Sequence, residues 1–82
     1  MYLEIITPEK KVFEGEIQIA TFPGQDGSFQ VMNNHAPIIS LIQEGTVFYK
    51  GHGVNDKLEI TGGVVEVLDN KTILLADGIK GA

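Results

Sequence analysis

Two histidines, several carboxylates and a pair of glycines are the residues of this chain whose types and spacing could support chemistry. His35 and His52 lie far apart, and neither occurs in the HxH or HExxH spacing that places two ligands on one metal ion. We therefore expect no metal site, and His52, between two glycines, is expected to be a solvated loop histidine. There is no cysteine nucleophile and no GxSxG elbow, so the sequence predicts no nucleophilic catalyst.

The acidic residues that could form an acid-base pair are Asp26, Glu44, Glu66 and Asp69. General acid-base catalysis needs carboxyl groups in a shared environment that separates their pKa values, and nothing in the sequence brings two of these together. Turns and solvated faces are the simpler interpretation. Gly62-Gly63 lacks the helix start and the Lys-Ser or Lys-Thr of a phosphate-binding loop, so we interpret it as a bend or bulge that excludes side chains.

The elements that must position these residues are all strands. Short alternating runs separated by turn residues, with no helical period, predict a half-buried antiparallel sheet. Strands are predicted over Tyr2–Ile6, Lys11–Phe13, Glu16–Phe22, Ser28–Met32, Ile38–Ile42, Thr46–Lys50, Lys57–Ile60, Val64–Leu68 and Lys71–Ala76. So many strands in a small chain favour an all-β sandwich of two packed, mainly antiparallel sheets with no helical domain.

Turns and interior positions follow from the same pattern. Turns are predicted at Glu14-Gly15 and Asp69-Asn70, and loops over residues 23–27 and 51–56. The predicted interior residues are Ile17, Ile19, Leu58, Ile60, Val65, Val67, Ile73 and Leu75. His35 is followed by Ala36-Pro37, which favours an extended backbone at the start of an apolar strand. A local hydrogen-bonded cap is the simplest role for that imidazole, and a functional role stays open.

Length and composition restrict the function further. The 82 residues suit one small domain, and the absence of cysteine excludes a disulfide framework and a thiolate metal site. Six basic and eleven acidic residues give a formal net charge of −5, which repels a phosphate backbone and argues against nucleic acid binding. The longest largely apolar run, residues 37–42, is far shorter than the roughly 20 residues of a membrane-spanning helix. We expect a soluble intracellular protein without direct membrane insertion.

Three separated blocks of the chain carry a family resemblance. They are Asn33 to Gly45 (NNHAPIISLIQEG), Thr61 to Val67 (TGGVVEV) and Ile73 to Asp77 (ILLAD). In order and spacing they resemble the epsilon subunit of F-type ATP synthases. The resemblance implies a β-sandwich of about ten short strands in a non-catalytic rotor subunit. Such a subunit packs on gamma in the central stalk and rests on the polar loops of the c-ring, coupling ion translocation to ATP synthesis.

The resemblance also implies which residues make these contacts. The expected gamma contacts are Thr7, His35 and Pro37, and the expected c-ring contacts are Asp26, Gly27 and Ser28. Ser28 stands where many relatives have a second acidic residue, and Asn33-Asn34 where they have Pro-Gly. The charge at the ring contact and the rigidity of the second loop therefore depart from the family pattern.

In the family, a helical hairpin follows the sandwich and carries an ATP-binding motif. Residues 1–82 end before such a hairpin, so we expect one sandwich domain with no cofactor, no nucleotide binding and no brake by helix extension. The expected location is a peripheral complex on the cytoplasmic face of a bacterial inner membrane. The alternative is a free-standing β-barrel or sandwich ligand-binding module, which would need basic or aromatic residues clustered on one face.

Overall fold

Strands account for all the regular structure in residues 1–80, the part of the chain that the computed structural model describes. In chain order they are β1 (Tyr2–Ile6), β2 (Lys11–Glu16), β3 (Ile19–Gly24), β4 (Gly27–Met32), β5 (Ile38–Ile42), β6 (Gly45–Gly51), β7 (Val54–Ile60), β8 (Gly63–Leu68) and β9 (Lys71–Ala76). The all-β prediction is confirmed. The predicted domain end at residue 82 lies outside the described residues.

The nine strands form two layers joined at one corner. Sheet I has the order β2-β1-β9-β8-β5, and sheet II consists of β3, flanked by β4 and β6, with β7 beyond β6. Among the strands of residues 1–80, only β1 and β9 pair in parallel. The layers meet where Gly24 of β3 pairs with Ile42 of β5. At this corner Gln25 N–H donates to Leu41 O (3.3 Å) and Gln43 N–H donates to Pro23 O (2.9 Å). The sandwich is therefore a single sheet folded over on itself.

The core lies between the layers and draws on nearly every strand. Its largest fully buried side chains are Phe22, Leu3, Ile5, Ile60, Leu74, Val31, Val47, Val65 and Val67. Across the layers, the ring centroids of Phe13 and Tyr49 lie 4.7 Å apart. Full burial of one such side chain contributes about 1.5–3 kcal/mol, so this core is the main source of stability in a chain without cysteine.

Several predicted turns are shorter than expected because the strands continue pairing. The loop predicted over residues 23–27 is reduced to the two-residue turn Gln25-Asp26, since Pro23 and Gly24 belong to β3. The loop over 51–56 is reduced in the same way to His52-Gly53. A turn at Glu14-Gly15 is wrong, because both residues pair with β1. A continuous strand over Glu16–Phe22 is also wrong, because pairing is interrupted at residues 17 and 18.

The inward face of β9 differs from the prediction. Leu75 was predicted inside but is 52% exposed, and the buried positions of β9 are Thr72, Leu74 and Ala76. Residues 73–76 are all apolar, so they give no alternation from which to assign a face. Thr72 shows which face of β9 points inward, because its hydroxyl is fully buried and donates to Met1 Sδ at 3.4 Å. Ile19 is likewise only half-buried, beside the core residue Ala20.

The predicted turn and bend around β8 are both confirmed. Asp69 and Asn70 have φ values of 52° and 61°, as a two-residue hairpin with the strand twist requires. Gly63 has φ 158°, and a Cβ built there would lie 2.3 Å from the carbonyl oxygen of Leu75. No side chain fits at that position without moving the backbone of β9.

Candidate functional site

The outward side chains of sheet I form rows across its strands. The row nearest the β3–β4 hairpin joins β5, β8, β9 and β1 in register and consists of Leu41, Val64, Leu75 and Ile6. The next row consists of Ile39, Glu66, Ile73, Glu4 and Glu14. We define the outer apolar face as Ile6, Ile39, Leu41, Val64, Ile73 and Leu75. It combines a wholly apolar row with the apolar members of the next one.

This face is open to solvent in the isolated chain. Ile39 is 74% exposed, Leu41 56% and Leu75 52%. Exposed apolar residues scattered singly are ordinary, whereas a contiguous patch rimmed by polar residues is typical of an interaction surface. On sheet II the corresponding rows are mixed, for example Gln30, Thr21, Phe48 and Lys57. The outer apolar face is therefore the candidate functional site.

The side of sheet I formed by β1 and β2 carries a polar network that is satisfied internally. Lys11 Nζ lies 2.9 Å from Glu4 Oε2 and 3.2 Å from Glu14 Oε2, and the Tyr2 hydroxyl donates to Glu14. Hydrogen bonds to Glu4 and then to Glu14 raise the pKa of Lys11. Hydrogen bonds from Tyr2 and then from Lys11 lower the pKa of Glu14. Lys11 and Glu14 are exposed, so the network contributes little stability, but it marks a polar border for the apolar face.

The expected gamma contacts lie at two different ends of sheet I. Thr7 is 8% exposed, and its hydroxyl donates to Lys10 O (3.1 Å) and accepts from Lys10 N–H (3.2 Å), which closes the β1–β2 turn. At the other end His35 N–H donates to Met32 O (3.1 Å), and His35 Nδ1 lies 2.7 Å from Ala36 O. Both side chains therefore make local hydrogen bonds of the kind that shape a turn.

The structure does not bring Thr7 into contact with His35 and Pro37. Thr7 follows the last residue of β1, whereas Pro37 precedes the first residue of β5, three strands away in sheet I. With strands about 4.8 Å apart and about 3.3 Å per residue, the separation is on the order of 20 Å. The outer apolar face fills the space between them. The two positions thus border one surface from opposite corners.

The expected c-ring contacts do lie together. Asp26 is in the two-residue turn of the β3–β4 hairpin, Gly27 has φ 125°, and Ser28 follows in β4; all three are exposed. The hairpin tip borders a shallow depression whose other wall is Ile39, Ser40 and Leu41 of β5. A mobile or charged partner can therefore reach the tip without displacing any part of the core.

The residues of the outer apolar face were missed as a site by the sequence reasoning. Leu75 and Ile73 were assigned to the interior, and Glu66 was regarded only as a solvated carboxylate. The available signal was β8, where Val65 and Val67 are inward and Glu66 must therefore face outward. Only the pairing register then shows that Glu66 lies beside Ile39 and Ile73.

Neither a metal-binding cluster nor a membrane-spanning helix is found in the part of the chain that the structure describes. Within residues 1–80, no group of three or more His, Cys, Asp or Glu side chains is placed to hold a metal ion. The same residues include no helix with the length and apolar character needed to cross a membrane.

Comparison with known sequences finds one family along nearly the whole chain. A family described as "ATP synthase, Delta/Epsilon chain, beta-sandwich domain" matches residues 1–82. The ATP synthase epsilon chain of Pelotomaculum thermopropionicum is 39% identical over 80 residues, covering 98% of this chain and 60% of the relative. That of Chlorobium limicola is 40% identical over 79 residues, covering 95% of this chain and 90% of the relative. The chain thus spans only about 60% of the first of these relatives.

Comparison with solved structures agrees on the fold. A chain of the Tetrahymena thermophila mitochondrial ATP synthase central stalk and c-ring superposes with a TM-score of 0.79 at 20% identity, covering 93% of this chain and 62% of that one. A chain of the Euglena gracilis mitochondrial ATP synthase superposes with a TM-score of 0.84 at 18% identity, covering 90% and 48%. At such identities these likenesses establish a shared β-sandwich fold.

Proposed function

The chain belongs to the ATP synthase delta/epsilon β-sandwich family, and from that membership we propose that it is a non-catalytic epsilon subunit of the central stalk, packing on gamma and contacting the c-ring. In this role it transmits force between the ring and the stalk and performs no bond chemistry. The complex would lie on the cytoplasmic face of a bacterial inner membrane, with this domain attached through protein contacts.

The outer apolar face is the observation that supports gamma packing. Ile39, Leu41 and Leu75 are each at least half exposed, and their side chains point to the same side of sheet I. Removing the exposed part of each from water stabilises a complex by roughly 1 kcal/mol. Thr7 lies at one corner of this face and His35 with Pro37 at the other, which supports a gamma interface that extends to its border. We therefore assign the whole face to gamma.

The hairpin tip supports the c-ring contact. Asp26 lies in the turn beyond the last pair of the β3–β4 ladder, and Gly27 and Ser28 are the exposed first residues of β4, so all three can meet polar loops without disturbing the sandwich. A carboxylate there suits a basic loop on the ring. The tip and the outer apolar face are neighbours across β5, so gamma and the ring can be held at the same time.

A reconstitution experiment tests the proposed function. The purified chain is titrated into a gamma-containing complex that lacks epsilon, and binding is followed by fluorescence anisotropy. Saturable one-to-one binding, together with cross-linking of a cysteine at position 26 to a c-subunit loop in the whole synthase, is the expected result. Absence of binding to the gamma-containing complex would overturn the assignment.

Replacing His35 by alanine is expected to weaken binding to gamma by about 1 kcal/mol, or roughly fivefold in Kd, because an interface anchor loses its contacts. His52→Ala is the matched control, since His52 is exposed in the β6–β7 turn of sheet II and its ring contacts the Gln18 side chain. Titration of both variants, with thermal unfolding measured alongside, separates the two roles left open for His35. Unchanged affinity with a lower Tm would show that the imidazole is a local cap.

Replacing Asp26 by lysine is expected to lower ATP synthesis or slow assembly while leaving the fold and gamma binding intact. A single carboxylate at a wet contact contributes only about 0–1 kcal/mol, so its main effects are on orientation and association rate. The defect should shrink at high ionic strength because salt screens exposed charges. Asp56→Lys, the same charge change on β7, is the control. Full coupling in the Asp26 variant at low salt would contradict the ring assignment.

A further inference from the structure

We propose that the gamma surface covering the outer apolar face presents a basic side chain, an arginine in preference to a lysine, directly opposite Glu66. This inference rests on the proposed function, because it names the chemistry of the partner at the same face. It follows from one feature of sheet I, an acidic side chain in the middle of an apolar surface.

The surroundings of Glu66 are apolar in all four directions on the outer side of the sheet. Across the strands it lies in register between Ile39 of β5 and Ile73 of β9. Along β8 the neighbours on the same side are Val64 and Leu68, because side chains two residues apart share a face. Any partner that buries these apolar neighbours must also remove the Glu66 carboxylate from water.

No cation within residues 1–80 pairs with Glu66 in the free chain. None of the ion pairs formed within residues 1–80 includes it. Lys11 is held by Glu4 and Glu14. Lys71 is diagonal to Glu66 across the β8–β9 pair, but its Nζ lies over the Tyr2 ring, 5.6 Å from the centroid. With both lysines engaged elsewhere, we expect the charge that balances Glu66 in a complex to come from the partner.

The partner's cation is needed for a physical reason. A carboxylate that is buried without a counter-charge is strongly unfavourable, whereas a buried pair with good hydrogen bonds offsets most of that cost. Guanidinium fits best because it is planar, binds a carboxylate through two parallel hydrogen bonds and is less strongly hydrated than an ammonium group. Glu66 then determines orientation as well as affinity, since only one register of the partner brings its cation to the carboxylate.

Replacing Glu66 by glutamine tests for the opposing cation, because the presence and absence of that cation predict opposite changes in gamma affinity. With a cation opposite, Glu66→Gln leaves that cation buried and unpaired, and gamma binding should weaken by about 30-fold or more. Without such a cation, the same change removes only a desolvation penalty, and binding should be unchanged or tighter. Glu59→Gln on β7 of sheet II is the matched control. Both variants are titrated against the gamma-containing complex that lacks epsilon.

A third variant, Leu75→Lys, separates failure of this inference from failure of the proposed function. If Leu75→Lys loses binding while Glu66→Gln binds at least as tightly as the unchanged chain, the face is correct and the opposing cation is disproved. If Leu75→Lys binds normally, gamma does not cover this face, and the opposing cation falls with the assignment of this face, whereas the proposed function itself falls only if the unchanged chain does not bind. Weakening by Glu66→Gln with a normal unfolding transition, and no effect of Glu59→Gln, supports the opposing cation.

Discussion

Leu75→Lys is expected to abolish binding to the gamma-containing complex while leaving the sandwich folded. Leu75 lies between Val64 and Ile6 in the apolar row and is 52% exposed, so a lysine there can reach water in the free chain. In the complex its ammonium group would be buried against an apolar surface at a cost of several kcal/mol. A loss of affinity of at least about 100-fold should follow, since 1.4 kcal/mol corresponds to a factor of ten.

The measurement is the same binding titration, with circular dichroism to confirm the fold. Phe48→Lys is the matched control because Phe48 is 50% exposed on the outer side of sheet II, away from the proposed interface. It introduces the same charge at the same degree of exposure. Wild-type affinity for the Leu75 variant, or equal loss in both variants, would contradict the assignment of gamma to sheet I.

Gly63→Ala is expected to remove most of the stability of the domain. The new Cβ would lie 2.3 Å from Leu75 O and 3.0 Å from Ala76 Cα, both backbone atoms of the paired strand, at a φ of 158°. Neither atom can rotate away, so β8 and β9 must separate locally. We expect a loss of about 3–5 kcal/mol, which is exceptional for one methyl group and comparable with the whole stability of a small domain.

Thermal unfolding followed by circular dichroism checks this, with Tm expected to fall by at least about 15 °C. Gly53→Ala is the control that isolates backbone conformation: Gly53 has φ 72°, but its Cβ would meet no atom within 4 Å. That variant should lose only about 1–2 kcal/mol. If Gly63→Ala and Gly53→Ala lower Tm by the same amount, the close approach of Gly63 to β9 has no special role in stability.

Local turn chemistry made much of the fold predictable. Asp69-Asn70 tolerates positive φ and lies between two alternating runs, so the β8–β9 hairpin could be placed from the residues alone. The strand ends near Gly15 and Pro23 could not be predicted from the residues, because glycine and proline usually stop strands. Here they are retained by pairing with Leu3 and Ser28, partners distant in sequence or across a turn. Pairing across the sheet overrides the local preference.

The candidate site was less predictable because it depends on register. Nothing near Glu66 in the chain shows that Ile39 and Ile73 lie on either side of it, since those residues are 27 and 7 positions away and meet only in sheet I. Leu75 was placed inside because its neighbours are all apolar. The buried Thr72, a polar residue in an inward position, is what assigns Leu75 to the surface. Composition alone cannot supply that information.

The corner between β3 and β5 links the two proposed contacts mechanically. The Leu41 side chain belongs to the outer apolar face, while its carbonyl oxygen accepts the hydrogen bond from Gln25, the neighbour of Asp26 at the hairpin tip. A load applied to that tip can therefore reach the face proposed to bind gamma through Leu41 and one hydrogen bond. The second bond, from Gln43 to Pro23, resists twisting of the joint. The domain would then transmit torque as a rigid body, through the β3–β5 corner that joins the hairpin tip to sheet I.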